Sequence, residues 1–280
     1  MSNVLVPEIL LFNADDLAAR QGRIVVLVDG DAPTSAGAKR LDRLTRGALR
    51  RAMAGEAWGR VKPGEMMELA YPAGLAADGL HLVRLPRRTD VASARKAGGA
   101  IARLYGAAPV LALVEGHPRH ADLILGLLLR AYSFDVYKSA EKKAKGAVTL
   151  MVGNVSAAQA SYAAATDVAQ GVFLTRDLVN EPANVLTTTE FAHRLTGLRA
   201  LGVQVDVLDE AELERLGMRL LLGVGVGSEC PSQVVVMRWN GGVAGEAPFA
   251  LVGKGVCFDT GGISIKPAGG MEEMTMDMGG

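Results

Sequence analysis

The chain has 280 residues, with 30 Lys and Arg balancing 30 Asp and Glu, so its formal net charge is zero. This balance argues against nucleic acid or an acidic membrane surface as a general partner. Two cysteines exclude a disulfide framework and favour a reducing, cytoplasmic compartment. We expect no signal peptide, because the N-terminus lacks a basic segment before a long apolar run. We expect no membrane span, because the longest strongly apolar run, residues 123–129, is too short to cross a bilayer.

The first half of the chain alternates between apolar strands and amphipathic helices. The predicted strands cover residues 23–28, 66–70, 80–85, 109–114 and 147–152, and the predicted helices cover residues 40–54, 91–105 and 121–133. Strands that are separated by helices predict a largely parallel sheet with both of its faces covered.

A long alanine-rich stretch follows at residues 155–180 and contains one helix breaker, Gly171. Its apolar residues keep a helical period, and we expect the helix to end before Pro182 because the residue before a proline avoids the α region. We place a domain boundary at the start of this helix. The predicted domains are residues 1–155, an α/β domain, and residues 156–280.

The second half again mixes helices and strands. Thr187 and Glu190 have the spacing of a capping box, which predicts a helix that begins there and runs to about residue 201. A further helix is predicted at 210–222, and strands are predicted at 203–208, 233–239 and 249–252. This pattern predicts a second α/β domain.

Chemistry-bearing residues are concentrated after the last predicted strand. Lys254 lies between two glycines, and Asp259, Lys266 and Asp277 follow it. Carboxylate oxygens suit divalent cations, and a lysine amine can join them only when it is neutral. Taken singly, each residue has an ordinary interpretation: a glycine-flanked lysine is most often a solvated loop residue, and an aspartate before Thr-Gly-Gly is most often a turn residue.

Taken together, these residues resemble the signature segment of the cytosol aminopeptidase (leucyl aminopeptidase) family of two-metal exopeptidases. The matching pieces are Gly-Lys-Gly at 253–255, Phe-Asp-Thr-Gly-Gly at 258–262, Ile-Ser-Ile-Lys-Pro at 263–267 and Asp-Met-Gly-Gly at 277–280. Thr260 stands where the family commonly has serine. Residues 176–184 and 127–138 are also similar to segments of that family.

The resemblance implies roles for five residues. Lys254, Asp259 and Asp277 would be ligands of two divalent metal ions, manganese or zinc, with Asp259 bridging them. Lys266 would stay protonated and stabilise the oxyanion that forms from the peptide carbonyl, and Met274 would form a wall of the substrate pocket. The substrates would be peptides, with leucine-type preference, and the enzyme would be a cytoplasmic homo-hexamer.

One part of the family pattern does not occur in this sequence. It is an Asn-Thr-Asp-Ala-Glu-Gly-Arg-Leu stretch that supplies the remaining carboxylate ligands and an arginine for bicarbonate. The sequence therefore resembles an N-terminal α/β domain joined by a long helix to the first part of an α/β metallopeptidase domain with a mixed sheet. We expect the chain alone to have little or no peptidase activity.

Three alternatives remain open. A non-catalytic binding or DNA-binding regulatory member of the family is disfavoured by the neutral charge. The glycine-rich residues 222–228 follow a helix and precede a strand, which is the reverse of a dinucleotide fingerprint. His117 and His120 flank a Pro-Arg pair, a pattern that is more typical of a loop than of a metal site.

Overall fold

A computed structural model describes residues 3–141 and 144–279 and gives an α/β protein, as predicted. The chain divides into two compact units, Met1–Phe173 (unit 1) and Leu174–Gly280 (unit 2). This division falls within the long helix, whereas the predicted boundary lies at its start. The assignment of domains to 1–155 and 156–280 stays a prediction.

Unit 1 contains a six-stranded mixed sheet. Its strands are β1 (Glu8–Leu11), β2 (Arg23–Val28), β3 (Met66–Ala70), β4 (Gly79–Arg84), β5 (Val110–Glu115) and β6 (Val148–Val152), in the order β1-β6-β5-β2-β4-β3. All neighbours are parallel except β3 and β4, which confirms the predicted largely parallel sheet. We did not predict β1, an edge strand whose Glu8 carboxylate accepts a hydrogen bond from the Thr149 hydroxyl of β6.

Helices cover both faces of this sheet. They are α1 (Ala36–Leu44), α2 (Ala48–Met53), α3 (Glu56–Gly59), α4 (Val91–Ala102), α5 (His120–Ala131) and α6 (Val155–Asn180), the last of which continues into unit 2. The prediction of one helix at 40–54 is wrong. The helix breaks at Arg46 and Gly47, which have positive φ, and Asp42 holds the turn by accepting hydrogen bonds from the backbone and side chain of Arg50.

Alternate residues of each central strand enter two different cores. Val25 packs in a cluster with residues of α4, α5 and α6, whereas Ile24 and Val26 pack in a second cluster with residues of α1 and α2. Helices α4 and α5 approach closely at Gly98, where a Cβ atom would overlap the Leu123 carbonyl oxygen. Both faces of the sheet are therefore dry and closely packed.

Unit 2 is smaller and less regular. It contains α7 (Thr188–Thr196), α8 (Glu210–Arg215), α9 (Arg219–Gly225) and two antiparallel strands, β7 (Gln204–Leu208) and β8 (Val234–Arg238). The capping prediction is confirmed in part. The Thr187 hydroxyl accepts from the Glu190 amide, but the Glu190 carboxylate pairs with Arg194. The predicted helix at 210–222 is wrong, because it is divided at Gly217, which has a φ of 74°.

The strand predicted at residues 249–252 is also wrong. This segment has no regular secondary structure, and its side chains are exposed. A strand needs a neighbour to receive its backbone hydrogen bonds, and within residues 3–141 and 144–279 the sheet of unit 2 consists of β7 and β8. Over the same ranges, no helix has both the length and the apolar character needed to cross a bilayer.

Candidate functional site

The structure joins the four predicted lysines and aspartates in two ion pairs. The Lys254 ammonium donates to the Asp277 carboxylate at 2.7 Å, and the Lys266 ammonium donates to the Asp259 carboxylate, also at 2.7 Å. These residues are 23 and seven positions apart, respectively, in a segment that is irregular except for a short 3₁₀ helix, Met271–Met276. We call these four residues the lysine–aspartate cluster.

A glycine turn positions Asp259 opposite Lys266. The Gly261 amide donates to the second oxygen of Asp259 at 2.8 Å, and the Lys266 amide donates to the Thr260 carbonyl at 2.9 Å. Gly261 has a φ of 89°, and a Cβ atom there would overlap the Ser264 carbonyl oxygen. Glycine is required at this position because other residues could neither adopt this conformation easily nor fit.

Two buried side chains anchor the segment to unit 2. Met278, next to Asp277, is 7% exposed and packs with Leu178 and Leu186. Cys257, between Lys254 and Asp259, is 8% exposed, and burial raises the pKa of its thiol. The cluster is therefore held on a folded framework although its own charged groups reach solvent.

The electrostatics connect the two ion pairs. The hydrogen bond from Lys266 lowers the pKa of Asp259 below its ordinary value, as does the Gly261 amide, and the positive charge of Lys254 contributes in the same direction. Lys254 thus acts on Asp259 as well as on its own partner. The cluster is open to solvent, since the Lys254 side chain is 59% exposed and the Asp277 side chain is 26% exposed.

Met274 lies beside the cluster, with its sulfur 3.1 Å from the Lys266 ammonium nitrogen. This is the residue that the family resemblance assigns to the wall of a substrate pocket. A separate shallow depression in unit 2 has a lining that includes Glu210, Glu214 and Glu229 but no member of the cluster.

The donor set of the cluster suits part of a metal centre. It offers the carboxylates of Asp259 and Asp277 and the amine of Lys254, and hard oxygen ligands match divalent cations. Across residues 3–141 and 144–279, no group of three or more His, Cys, Asp or Glu side chains is placed to hold a metal ion. A complete centre would therefore need further ligands.

The two histidines of the His-Pro-Arg-His stretch in unit 1 are occupied by other contacts. His117 Nε2 lies 3.2 Å from the Pro86 carbonyl oxygen. The ring nitrogens of His120 lie 3.1 Å from the His117 carbonyl oxygen and 3.1 Å from the Ser161 hydroxyl. Neither ring is directed at a shared metal position.

We did not predict an ion-pair network near the start of α7. Glu181, which is 7% exposed, accepts from Arg194 at 2.8 Å, and Arg194 also donates to Glu190 at 2.8 Å. The sequence contains one signal for it, because Glu190 and Arg194 have the i, i+4 spacing of a helical ion pair. The contact with Glu181 depends on the turn at Pro182 and has no such signal.

The model of the cytosol aminopeptidase family, catalytic domain, matches residues 173–280. A probable cytosol aminopeptidase of Cereibacter sphaeroides is 54% identical over 277 residues, which are 98% of this chain and 57% of the relative. One from Dinoroseobacter shibae is 54% identical over 95% of this chain and 54% of the relative. The chain spans about half the length of these curated relatives.

Two solved structures are similar to the fold. The bottromycin maturation enzyme BotP in complex with Mn has a TM-score of 0.66 and 27% identity, over 92% of this chain and 53% of that one. The cytosol aminopeptidase from Coxiella burnetii has a TM-score of 0.65 and 22% identity, over 94% of this chain and 55% of that one. At this identity, the second likeness shows the fold alone.

Proposed function

We propose that this chain, which belongs to the cytosol aminopeptidase family, is part of a metallo-aminopeptidase that releases N-terminal residues from peptides. The observation that carries the proposal is the lysine–aspartate cluster, in which Lys254, Asp259, Lys266 and Asp277 are joined in two ion pairs. The relatives at 54% identity, which are named probable cytosol aminopeptidases, support the same reaction class.

In this proposal, Asp259, Asp277 and Lys254 hold divalent metal ions. We propose two ions, manganese or zinc, with Asp259 bridging them, and the Mn complex of BotP supports the choice of metal. Such ions polarise the carbonyl group of a bound peptide. Lys254 would hold a metal as a neutral amine, which requires that its proton pass to solvent and that its ion pair with Asp277 be lost.

Lys266 has a different task, which is to present a positive charge. It remains an ammonium ion, oriented by Asp259 and by the Gly261 turn, and stabilises the negative charge that develops on the substrate carbonyl oxygen. Met274, which touches Lys266, lies beside the first side chain of the peptide and forms part of its pocket. We propose a leucine-type preference because the resemblance to the family implies it.

We further propose that the 280-residue chain alone has little or no activity, because its described residues hold no group of three or more His, Cys, Asp or Glu ligands. In the complete enzyme, further carboxylates complete the centre and bicarbonate accepts a proton. We propose that this enzyme is a cytoplasmic homo-hexamer, as in the family that the sequence resembles.

The test uses leucine p-nitroanilide with added Mn²⁺. We expect negligible turnover by the chain alone, and metal-dependent turnover by a chimaera that carries the rest of the Cereibacter sphaeroides relative. Lys266→Met in the chimaera should lower kcat by about 10²–10³-fold, the usual cost of losing an oxyanion donor. Arg238→Met, which alters an exposed ion pair with Asp206, is the control and should leave kcat unchanged. Full activity of the Lys266→Met chimaera would exclude the assigned role.

A further inference from the structure

A serine and a histidine of unit 1 form a hydrogen bond that the proposed function does not use. The Nε2 atom of His120, the first residue of α5, lies 3.1 Å from the Ser161 hydroxyl of α6. The other ring nitrogen of His120, Nδ1, lies 3.1 Å from the backbone carbonyl oxygen of His117. The imidazole is therefore held between a fixed acceptor on one side and a hydroxyl on the other.

The carbonyl contact determines the direction of the hydrogen bond to Ser161. A carbonyl oxygen can only accept, so Nδ1 carries the proton of the neutral imidazole and Nε2 has the free lone pair. The Ser161 hydroxyl therefore donates to Nε2. A hydroxyl that donates to an imidazole, which is itself oriented through its other nitrogen, has the arrangement of a nucleophile and its general base.

The Ser161 hydroxyl differs in this respect from that of Thr166, which lies further along the same helix. Thr166 donates to the Tyr162 carbonyl at 2.8 Å. Such a bond to the preceding turn is an ordinary contact for a hydroxyl inside a helix, and it commits the proton to the backbone. Within residues 3–141 and 144–279, the Ser161 hydroxyl has His120 as its partner instead.

The surroundings of Ser161 leave room for a small reactant. On a helix, the side chains three and four positions away are the ones that cover a residue. Here they include Ala157 and Ala164, both of which are exposed and carry only a methyl group. Ser161 and His120 are themselves only partly buried, so the hydroxyl and the imidazole are accessible from solvent.

The start of α5 supplies donors for a developing negative charge. The first amides of a helix have no partner within it, and in the described part of the chain those of Ala121 and Asp122 donate to no other backbone group. The negative charge of the Asp122 side chain is offset by Arg95 at 3.9 Å and Arg119 at 3.5 Å. Free amides beside a nucleophile are the groups that stabilise the oxyanion of acyl transfer.

We propose that Ser161, activated by His120, is a nucleophile with which unit 1 cleaves small carboxylic esters that have good leaving groups. Ser161 Oγ forms a bond to the ester carbonyl carbon as its proton passes to His120 Nε2. The bond from that carbon to the leaving oxygen then breaks, and the imidazolium returns the proton to this oxygen. A water molecule, deprotonated by the same imidazole, releases the carboxylic acid and restores the serine.

The test treats the full chain with a fluorophosphonate in the presence of EDTA, which removes any contribution from a metal centre. The serine oxygen displaces fluoride from phosphorus, and tandem mass spectrometry locates the stable adduct. We expect the adduct on Ser161 and not on Ser156, an exposed serine of the same helix. A folded chain without an adduct on Ser161 would overturn the proposal.

Variants of His120 separate a reacting pair from a contact that only joins α5 to α6. His120→Asn keeps a donor for the His117 carbonyl, and His120→Gln keeps a partner for Ser161, but neither amide can take up a proton. Both variants should slow the labelling of Ser161 about 10²-fold, with an unchanged circular dichroism spectrum. Labelling at the original rate in both would overturn the proposal.

Ester turnover provides an assay that does not depend on the His120 variants being folded. Ser161→Ala should abolish the serine-dependent hydrolysis of p-nitrophenyl acetate in EDTA. The control is Thr166→Ala, which removes the hydroxyl that is bonded to its own helix and should leave this hydrolysis unchanged. Equal rates for the original chain and Ser161→Ala would exclude this serine.

NMR of the nitrogen-labelled imidazole measures the tautomer of His120 directly. We expect the proton of the neutral ring on Nδ1, as the His117 carbonyl requires. A proton on Nε2 would overturn the proposal, because the imidazole would then donate to Ser161 and could not accept its proton.

These readouts are independent of the proposed aminopeptidase function, since Ser161 and His120 both belong to unit 1. An adduct on Ser161 together with an inactive chimaera would remove the aminopeptidase proposal and leave this one intact. A chimaera that cleaves leucine p-nitroanilide, together with an unlabelled Ser161, would have the opposite result.

Discussion

The sequences of units 1 and 2 have similar patterns of predicted strands and helices. The two units differ in how completely they bury the apolar side chains of these elements. Among the large apolar side chains that are exposed within residues 3–141 and 144–279, six belong to unit 1 and fifteen to unit 2. Unit 1 closes two cores around six strands, whereas the sheet of unit 2 has two strands. An apolar pattern thus indicates that a segment is suited to burial. Whether the segment is buried depends on the neighbouring strands and helices that cover it.

The largest difference should appear when one leucine from each unit is truncated. Leu82→Ala removes a fully buried side chain of β4 and should lower the free energy of unfolding by about 2–5 kcal/mol. Leu251→Ala removes a side chain that is 86% exposed and should change it by less than about 0.5 kcal/mol. Urea unfolding measures both, followed by the fluorescence of Trp58 for unit 1 and of Trp239 for unit 2, and equal losses would contradict the comparison.

A pair of adjacent glycines tests how tightly unit 1 is packed. Gly98→Ala should cost about 3 kcal/mol, because its Cβ atom would overlap the backbone of α5 at Leu123. Gly99→Ala is the control: its Cβ atom would be 3.7 Å from the nearest atom, a carbon of Arg130, and alanine favours helix by up to about 1 kcal/mol. The thermal unfolding temperature should therefore fall in Gly98→Ala and rise in Gly99→Ala. A rise in both variants would show that α4 and α5 can separate to admit the added methyl group.

The ion-pair network of α7 tests whether unit 2 has a well-packed region of its own. Arg194→Met leaves the buried carboxylate of Glu181 without this partner and should cost about 2 kcal/mol in the local opening of α7. Arg215→Met is the control, because Arg215 is exposed, its partner Glu212 is only partly buried, and such surface pairs contribute less than about 1 kcal/mol. Amide exchange in α7 measures the first loss and amide exchange in α8 measures the second. Similar losses would mean that burial of Glu181 does not strengthen its ion pair with Arg194.

The smallest expected effect is a pH dependence of unit 1. Burial lowers the pKa of His81, with Arg23 acting in the same direction and Glu68 opposing it. Since the unfolded chain binds this proton more readily, stability is complete above the unfolded pKa of about 6.5 and falls as the pH drops below it. His81→Gln should flatten this fall between pH 7 and pH 5, because it removes the group whose protonation opposes folding.

The control for this prediction is His193→Gln, which changes an exposed histidine of α7. It should leave the slope of unfolding free energy against pH unaltered. Some slope should remain in the His81 variant, because burial also lowers the pKa of His117. Urea unfolding of unit 1 at several pH values measures the slope, and an unchanged slope in His81→Gln would exclude this histidine.

The sequence predicts the architecture of unit 1 well because its signals are local. Five of its strands and the long helix α6 follow from apolar runs and helical periods, and the structure has them within one or two residues. The break at Arg46 was not predictable from periodicity, since the apolar positions of α1 and α2 continue the same spacing. It depends on the contact of Asp42 with Arg50, which is a tertiary feature of the turn.

The sequence singled out the four residues of the lysine–aspartate cluster but not the way they pair. The glycine-spaced motif identifies Lys254, Asp259, Lys266 and Asp277, and the structure joins them by ion pairs. Which lysine pairs with which aspartate depends on the turn at Gly261, which the Asp-Thr-Gly-Gly sequence indicates locally, and on the burial of Met278, which has no local signature. Their roles as metal ligands and oxyanion donor stay predictions.

The pairing of β1 with β6 has a consequence for how the protein is made. Glu8 and Thr149 are 141 residues apart, so a ribosome that adds 5–20 residues per second takes roughly 7–30 s to supply the partner of β1. Until then the sheet edge at β5 also lacks its neighbour. The nascent chain therefore carries an unpaired β1 during most of the translation of unit 1, and the open edge of β5 as well during the last part of that wait, which is the interval in which a chaperone or a misdirected pairing would act.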